Sequence, residues 1–438
     1  MAGISALLAL LSPFNSFAAF VYETSAEFLT TGDFNGDGIA DVLVLDKLTG
    51  NARVGLLDTN GVISWSAPLV TGVENATGCA VGKFLQNTLD AVAVTAPDYN
   101  RVNLVNLSNT NAAGTPVVVT PNGVGPHCLV TLAAPTVPPP QFNSLVVASS
   151  LNDPPSERLE PVSLFLGVPS LSGQFNESGS FERGNAIQFD TNGPTFAAGL
   201  VRGDSDSLHI VQFTNSYSLI MTYTNLPSGS DYAFGNFNGS SLPVFAFYVS
   251  GQSNVVIQAL IQTNGGFSLS AASSVSFTEA VQRVYYTDLG TDGAFQIQFG
   301  DGIQGMTLPG GTPTLGPVYT NGTGAAGNVF TGVVPLGSGQ FLLLDSPTGV
   351  AISTHAQTMK FDGTNYTQLK AQNLPPLTTS ATRANVWLFQ AEPFVNSNPG
   401  FVASLNSADW TSFLTGLPGG VSVRTETDGG PANGLGNA

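Results

Sequence analysis

Charged residues are scarce in this sequence, and positively charged ones are the scarcest. Only 9% of the 438 residues are charged, and 12 Lys and Arg stand against 29 Asp and Glu, which gives a net charge of -17 at pH 7. Such an acidic chain repels nucleic-acid phosphates and anionic lipid surfaces, so no nucleic-acid partner is predicted. Divalent cations suit this charge balance better.

Long apolar runs are also missing. No segment after the N-terminus reaches the roughly 18 apolar residues of a membrane span, so no integral membrane span is predicted. The apolar run at 4–11 is too short as well, but the small residues up to Ala18 and Ala19 resemble a signal-peptidase cleavage site. We interpret residues 1–19 as a signal peptide or apolar leader and predict a secreted or cell-surface protein. A buried leader strand is the alternative.

The residues that are abundant indicate β structure. The chain has 50 Gly and 28 Pro, and 42% of its residues are hydrophobic. This composition is typical of a turn-rich all-β protein. Its hydrophobic content also argues against a disordered chain.

A small residue followed by a short apolar strand end recurs seven times. The seven sites are Gly32-Asp33-Phe34, Gly82-Lys83-Phe84, Thr131-Leu132, Gly199-Leu200-Val201, Gly235-Asn236-Phe237, Thr287-Asp288-Leu289 and Gly332-Val333-Val334. Each precedes a β-rich run, at 41–45, 91–94, 144–148, 208–211, 244–248, 295–299 and 340–344. Four short strands about every 40 to 50 residues is the period of propeller blades.

The repeat predicts an all-β fold, a seven-bladed β-propeller of four-stranded antiparallel blades over residues 20–384. A short N-terminal leader would precede it and an irregular C-terminal tail would follow. A β-sandwich or β-solenoid is the alternative. Residues 20–28 either complete the last blade or lead into the first. Blade three is the longest unit, and its Pro-rich or charged stretches at 135–141 and 152–161 are interpreted as surface loops.

One loop carries metal chemistry. Oxygen-bearing side chains alternate at Asp33, Asn35 and Asp37, and Asp41 follows the backbone carbonyl of Ile39. Calcium takes six to eight oxygen ligands, and this spacing supplies most of them from one turn. The loop lacks the twelfth-position Glu of a helical EF-hand and runs into a strand. We predict a Ca²⁺ site here, and a polar hairpin facing water is the alternative.

The run Gly-Asp-Phe-Asn-Gly-Asp-Gly-Ile-Ala-Asp-Val-Leu at 32–43 resembles the signature of FG-GAP/VCBS repeats. These are seven-bladed propellers typified by the head of integrin α subunits. In that family the loop joins the first two strands of a blade and binds calcium. The resemblance implies metal ligands at Asp33, Asn35, Asp37, Ile39 and Asp41.

The other units match the signature weakly. Asp288 and Asp292 keep two carboxylates and form a doubtful second calcium site, because Gln296 stands where the final Asp is expected. Lys83 replaces the first Asp of the second unit, and its ammonium group would oppose a cation.

No catalytic constellation is visible in the sequence. His127, His209 and His355 show no metal-ligand spacing, and there is no nucleophile elbow. His209 is interpreted as a half-buried strand residue, whereas His127 and Cys128 are adjacent and point to opposite strand faces. Cys79 and Cys128 hold matching positions on neighbouring inner strands, so a disulfide and two packed free thiols both stay open.

Two functions are compatible with these features. The first is an extracellular calcium-binding β-propeller acting as an adhesion, ligand-binding or scaffolding module, with a protein or glycan ligand on its loops. Residues 385–438, which are rich in Gly and Pro, would be a linker or the start of a further module to which the propeller is tethered. The second is a carbohydrate-active, lyase-like enzyme built on the propeller. Several His, Arg, Tyr or carboxylate side chains converging on one pocket would favour the enzyme.

Overall fold

The computed structural model describes the propeller region from residue 19 to residue 377, apart from short gaps. The gaps are residues 60, 109–110, 134–141, 151–156, 166–167, 172, 190–194, 203–205, 214–217, 265, 291 and 321–326. The predicted leader at 1–19 therefore lies almost wholly outside the described residues. Beyond residue 377 only four short strands are described.

The described residues of the propeller form seven antiparallel sheets, arranged in a ring. A short strand, β1 (Tyr22–Glu23), precedes blade 1. Blades 1 to 3 comprise β2 (Glu27–Gly32), β3 (Asp41–Asp46), β4 (Asn51–Leu57), β5 (Ile63–Trp65) and β6 (Leu69–Val70); β7 (Gly78–Gly82), β8 (Ala91–Ala96), β9 (Arg101–Val105) and β10 (Val117–Val119); and β11 (Val124–Leu132), β12 (Ser144–Ser150), β13 (Glu157–Phe165), β14 (Val168–Leu171) and β15 (Phe175–Glu177).

Blades 4 to 7 complete the ring. They comprise β16 (Ser180–Gln188), β17 (Thr195–Arg202), β18 (Asp206–Gln212) and β19 (Ser218–Leu226); β20 (Ser230–Gly235), β21 (Val244–Val249), β22 (Asn254–Thr263), β23 (Gly266–Leu269) and β24 (Ser273–Ser276); β25 (Arg283–Asp288), β26 (Gly293–Gln298), β27 (Gly302–Thr307) and β28 (Thr314–Thr320); and β29 (Asn328–Gly337), β30 (Gln340–Pro347), β31 (His355–Phe361) and β32 (Tyr366–Asn373).

Every blade has four strand positions. In blades 1, 3 and 5 the outermost position is divided between two short strands, which pair with β4, β13 and β22 at different points along their length. The described helical structure is limited to two 3₁₀ turns, at Pro97–Tyr99 and Pro309–Gly311. No described helix has the length and apolar character needed to cross a bilayer. The predicted all-β, seven-bladed architecture is confirmed.

The recurring small residue has a packing reason. A Cβ atom on Gly32 would lie 2.6 Å from Val81, one on Gly82 would lie 2.7 Å from Thr131, and one on Gly332 would lie 2.2 Å from Leu29. Each of these neighbours belongs to the next blade around the ring. Real Cβ atoms do not approach other atoms so closely, so the inner strands can meet only where a side chain is missing.

Blade 1 packs directly against blade 7, and this contact closes the ring. Strand β1 pairs with the inner strand β2, with Tyr22 opposite Leu29. The segment at 20–28 therefore leads into the first blade and adds no strand to the last one. Arg53 in blade 1 bonds the carbonyl oxygen of Ser353 in blade 7, with 2.7 Å between Nη1 and the oxygen.

Two assignments of the repeat are wrong in detail. The run 208–211 is the third strand of blade 4, because β16 at Ser180–Gln188, which was not among the seven predicted sites, forms the inner strand. In blade 3, residues 157–161, which were predicted as part of a surface loop, belong to the strand Glu157–Phe165, which pairs with β12. The rest of the predicted loop, 152–156, lies outside the described residues. Leu159 and Val162 on this strand are fully buried in two different apolar clusters, so both faces of the strand are covered, as expected for a strand inside a blade.

The tail forms a second compact unit, residues 377–438. Its described strands are β33 (Asn385–Leu388), β34 (Gln390–Ala391), β35 (Val402–Leu405) and β36 (Val421–Ser422). They pair as β33 with β35 and β34 with β36. The prediction of a linker or further module at 385–438 falls mostly on residues outside the described part.

Candidate functional site

The predicted calcium loop joins β2 to β3, the first two strands of blade 1. Its polar side chains shape the turn, because the N–H groups of Gly36 and Gly38 donate to the Asp33 carboxylate at 2.7 and 3.1 Å. The N–H of Asp37 donates to Asn35 Oδ1 at 2.9 Å. Gly36 and Gly38 have φ angles of 79° and 81°, which glycine alone adopts without strain.

Asp41 lies beneath this loop and is fully buried. Its carboxylate accepts the N–H groups of Phe34 at 3.0 Å and Leu57 at 2.9 Å. Burial raises the pKa of Asp41 to about 7, and the nearby carboxylates of Asp37 and Asp33 contribute in the same direction, while the two backbone N–H groups oppose it. The loop therefore concentrates negative charge that a cation would relieve.

The donor chemistry of the loop fits calcium. Three carboxylates, one amide oxygen and one backbone carbonyl from a single turn form the hard-oxygen set that calcium prefers. In the described part of the chain, however, no three His, Cys, Asp or Glu side chains are gathered into a group that could hold a metal ion. The predicted carboxylate ligands Asp33, Asp37 and Asp41 thus follow one another along the chain without forming such a group.

The doubtful second site has a different environment. Asp292 Oδ1 accepts the N–H of Asn238 from blade 5 at 2.8 Å, so this carboxylate links two blades. Asp288 Oδ1 accepts the N–H of Gly290 at 2.7 Å. Gln296, which stands at the final ligand position, is fully buried and accepts the hydroxyl of Tyr366 in blade 7 at 2.6 Å. The contacts of Asp292 and Gln296 thus join blade 6 to blades 5 and 7.

Ionisable side chains converge on a cavity among the inner strands, at the end where those strands begin. It has a volume of about 580 Å³. The lining includes charged and phenolic side chains from blades 3 to 6 and from the N-terminal segment: Glu23, His127, Glu157, Glu182, Arg183, Asp231, Tyr232, Tyr248 and Arg283. We call this space the axial cavity.

The segment 20–23, which runs into the axial cavity, is fixed by inner strands of distant blades. The N–H of Val21 donates to Asn185 Oδ1 at 2.8 Å, and the Tyr22 hydroxyl accepts the N–H of Tyr286 at 2.9 Å. Arg283 donates from Nε to the carbonyl of Glu23 at 3.0 Å. The carboxylate of Glu23 forms ion pairs with Lys47 and Arg183. This segment is therefore a wall of the cavity.

Arg183 occupies an unusual backbone position. Its φ is 55°, in the left-handed region that residues other than glycine seldom adopt, and the register of β16 shifts between Glu182 and Asn185. Such a bulge re-aims a side chain. Here the guanidinium reaches Glu23 and, at 3.6 Å, Asp231. Local strain of this kind is concentrated at functional sites in proteins.

His127 and two cysteines also line the axial cavity. His127 Nε2 lies 3.2 Å from Glu157 Oε1. Cys79 and Cys128 are both free and buried, so the structure contains two packed thiols and no disulfide between them. Burial raises the pKa of the Cys128 thiol to about 12, and that of Cys79 rises as well. Both thiols are therefore protonated at neutral pH and poor nucleophiles.

Sequence reasoning missed most of these cavity residues. Glu23, Arg183 and Arg283 lie far apart in the chain and share no motif. The repeat indicated only which strand ends approach the axis of the propeller. The structure also brings His209 into contact with Ser207 and Glu177, a grouping that was not predicted.

Comparisons with known proteins show a general structural likeness only. No family model matches the chain, and no curated protein matches it. A solved protein from Lactobacillus plantarum has 12% identity and a TM-score of 0.49, covering 75% of this chain and 93% of that chain. A functionally unknown protein from Desulfotomaculum acetoxidans has 11% identity and a TM-score of 0.46, covering 76% and 99%.

A third similar structure is a protein from Bacteroides uniformis, provisionally assigned as a 6-phosphogluconolactonase. It has 11% identity and a TM-score of 0.46, and the match covers 68% of this chain and 94% of that chain. Identities and scores this low carry no argument about activity. The seven-bladed fold rests on the sheet topology of the chain itself.

Proposed function

We propose that this chain is an extracellular calcium-binding β-propeller that acts as a ligand-binding module, with the axial cavity as its ligand site. One observation carries the proposal: side chains of both charges from four blades and the N-terminal segment converge on one cavity of about 580 Å³. Charged groups are costly to bring together near a protein core, so such a set is more often functional than incidental.

The cavity suits a polar ligand that bears a carboxylate. Within the described residues Arg283 makes no ion pair, although it lies beside the carbonyl of Glu23. A guanidinium presents planar donors that match a carboxylate. The tyrosines and acidic side chains around it offer hydrogen bonds to hydroxyl groups. An acidic glycan, carrying uronic or sialic acid units, combines these features.

Calcium has a supporting role in this proposal. Bound between β2 and β3, it would neutralise the Asp33, Asp37 and Asp41 carboxylates and fix the loop of blade 1. That loop lies at the end of β2 opposite to the axial cavity, because β2 begins at Glu27 and ends at Gly32. The cation would stabilise the ring and leave the ligand site free.

A carbohydrate-active enzyme is the second candidate, because His127, Tyr248, Arg283 and several carboxylates share one pocket. In a lyase reaction a cation neutralises the substrate carboxylate while a base removes the adjacent proton. Burial raises the pKa of Tyr248 well above 10, which disfavours it as that base. The binding module is therefore preferred.

A glycan array tests the proposal. Wild-type protein, Arg283→Gln and Lys360→Gln are compared in calcium buffer on sialylated, uronate-containing and neutral glycans. Lys360 is exposed on β31 and loses the same charge, so it is the matched control. We expect binding of acidic glycans by the wild type and the control, and at least a tenfold loss, about 1.4 kcal/mol, in Arg283→Gln.

Two results would contradict the proposal. One is a wild-type protein that binds no acidic glycan. The other is equal binding by Arg283→Gln, which would place the ligand elsewhere on the protein. Consumption of a bound uronate glycan, followed by mass spectrometry, would favour the enzyme over the binding module.

A further inference from the structure

A serine, a histidine and a glutamate form a hydrogen-bonded chain between blades 3 and 4. Ser207 Oγ lies 3.0 Å from His209 Nε2, and His209 Nδ1 lies 3.0 and 3.1 Å from the two oxygens of Glu177. Ser207 and His209 are each 8% exposed and Glu177 is 5% exposed. The group is distinct from the calcium loop and from the lining of the axial cavity.

The strand positions these side chains. Ser207 and His209 are two residues apart on β18, so they project from the same face of the sheet. Leu208 and Ile210 project from the other face, into an apolar cluster shared with blade 5. Opposite His209 on β17 stands Gly199, and the ring of Phe181 packs over this glycine. The pair therefore faces blade 3.

Glu177 approaches from blade 3. Strand β15 pairs with β13 and places Glu177 directly opposite Glu157. Each of these two carboxylates contacts a different histidine, since Glu157 lies 3.2 Å from His127 Nε2. Glu177 contacts His209. Mostly buried carboxylates need such partners.

The hydrogen bonds set the orientation of the imidazole. An ionised carboxylate only accepts hydrogen bonds, so the Glu177 carboxylate holds the proton of neutral His209 on Nδ1. The lone pair of Nε2 is then directed at Ser207 Oγ. Ser207 would be the nucleophile, His209 the base and Glu177 the carboxylate that orients the base. The same order of contacts activates serine for acyl transfer in proteins of unrelated fold.

We propose that Ser207, His209 and Glu177 form an esterase centre that acts on small acyl esters. Ser207 Oγ attacks the ester carbonyl carbon and its proton passes to His209 Nε2. The bond from that carbon to the alcohol oxygen breaks, and the alcohol leaves with the proton from His209. Water then attacks the acyl-serine and gives one proton to His209, which returns it to Ser207 Oγ as the carboxylic acid departs.

The small residual exposure of Ser207 sets the substrate size. Because only 8% of the surface of Ser207 is accessible, we expect a short acyl group to react faster than a long one. Acetyl esters are the class expected to react, because their acyl group adds only one methyl to the carbonyl.

A covalent probe and an ester assay test this centre. The native wild-type protein is treated with a small fluorophosphonate, which a reactive serine captures with loss of fluoride, and the adduct is mapped by peptide mass spectrometry. Hydrolysis of p-nitrophenyl acetate is followed in parallel. Ser207→Ala, His209→Gln and Ser149→Ala are compared with the wild type. Ser149 is the control because it is a buried serine whose hydroxyl has no hydrogen-bond partner among the described residues.

We expect one adduct, on Ser207, and ester hydrolysis that falls about 100-fold or more in Ser207→Ala and His209→Gln but not in Ser149→Ala. The adduct map uses only wild-type protein, so it decides the matter even where a variant fails to fold. An unlabelled Ser207 in native protein would overturn the proposal, as would hydrolysis that is unchanged by Ser207→Ala. Neither result depends on whether the axial cavity binds a glycan.

Discussion

Arg53 and Glu27 form a fully buried ion pair at the junction of the first and last blades. Arg53 Nη2 lies 2.5 Å from Glu27 Oε1, and the two side chains are 1% and 0% exposed. Glu27 also accepts the N–H of Ser353 in blade 7 at 3.1 Å. Polar side chains thus add to the apolar packing of blade 1 on blade 7 where the ring closes. Among the described residues, the two blades share no strand.

Removing one partner of this pair should open the junction. Arg53→Met leaves the Glu27 carboxylate buried without its counter-charge, and such changes cost about 3–5 kcal/mol of stability. Denaturant unfolding of the purified protein measures the loss. The double variant Arg53→Met with Glu27→Met should recover part of it, because no charge is then left unpaired. A single variant as stable as the wild type would show that the pair does not close the ring.

Calcium should stabilise the protein. A cation that binds only the folded chain adds about 2.7 kcal/mol when its free concentration is 100 times the dissociation constant. Thermal melting with calcium and with chelator should show this difference in the wild type and in Asp362→Asn, an exposed hairpin carboxylate in blade 7. Asp37→Asn should lose most of it. Identical melting temperatures for the wild type with calcium and chelator would exclude the site.

His127 should make stability depend on pH. Burial alone would lower the pKa of His127, but the hydrogen bond and charge of Glu157 and the Gly125 carbonyl raise it above 6.5. Because the folded protein holds this proton more tightly than the unfolded chain, the stabilisation is complete below pH 6.5 and is lost as pH rises through the folded pKa.

Melting curves from about pH 5.5 to about pH 8.5 measure this effect. The wild type should lose stability across that window more steeply than His127→Gln. His355→Gln, in which the replaced ring is 42% exposed, is the control and should behave like the wild type. A pH profile that His127→Gln leaves unchanged would contradict the assignment.

The inner-strand glycines should tolerate no methyl group. A Cβ on Gly235 would lie 2.1 Å from the ring of Tyr286, so Gly235→Ala forces blades 5 and 6 apart. Overpacking of this kind costs about 1–3 kcal/mol. Gly300→Ala is the control, because its Cβ would meet nothing nearer than 3.8 Å. Denaturant unfolding should separate the two variants, and equal stabilities would refute the packing argument.

The repeat of the blades could be predicted from the sequence because the residues that produce it are close together in the chain. A glycine at the end of the inner strand and an alternating apolar run mark most blades, since each blade needs the same close approach to the next one. The inner strand of blade 4, Ser180–Gln188, was missed because its glycine, Gly184, lies in the middle of the strand and not at its end. Gly199, which was assigned instead, lies on the second strand. The loop at Asp33 was recognisable for a similar reason, because all its donors lie in one turn.

The sequence by itself determined the strand content, the blade number and the donor set of the first loop, since hydrophobic period, turn glycines and alternating oxygens act between near neighbours. Tertiary structure alone decided which side chains meet. Arg53 and Ser353 are 300 residues apart, Val21 and Asn185 are 164 apart, and His209 and Glu177 are 32 apart. Such pairs form when packed blades exclude water and bury polar groups that must then find partners, and no local pattern encodes that requirement.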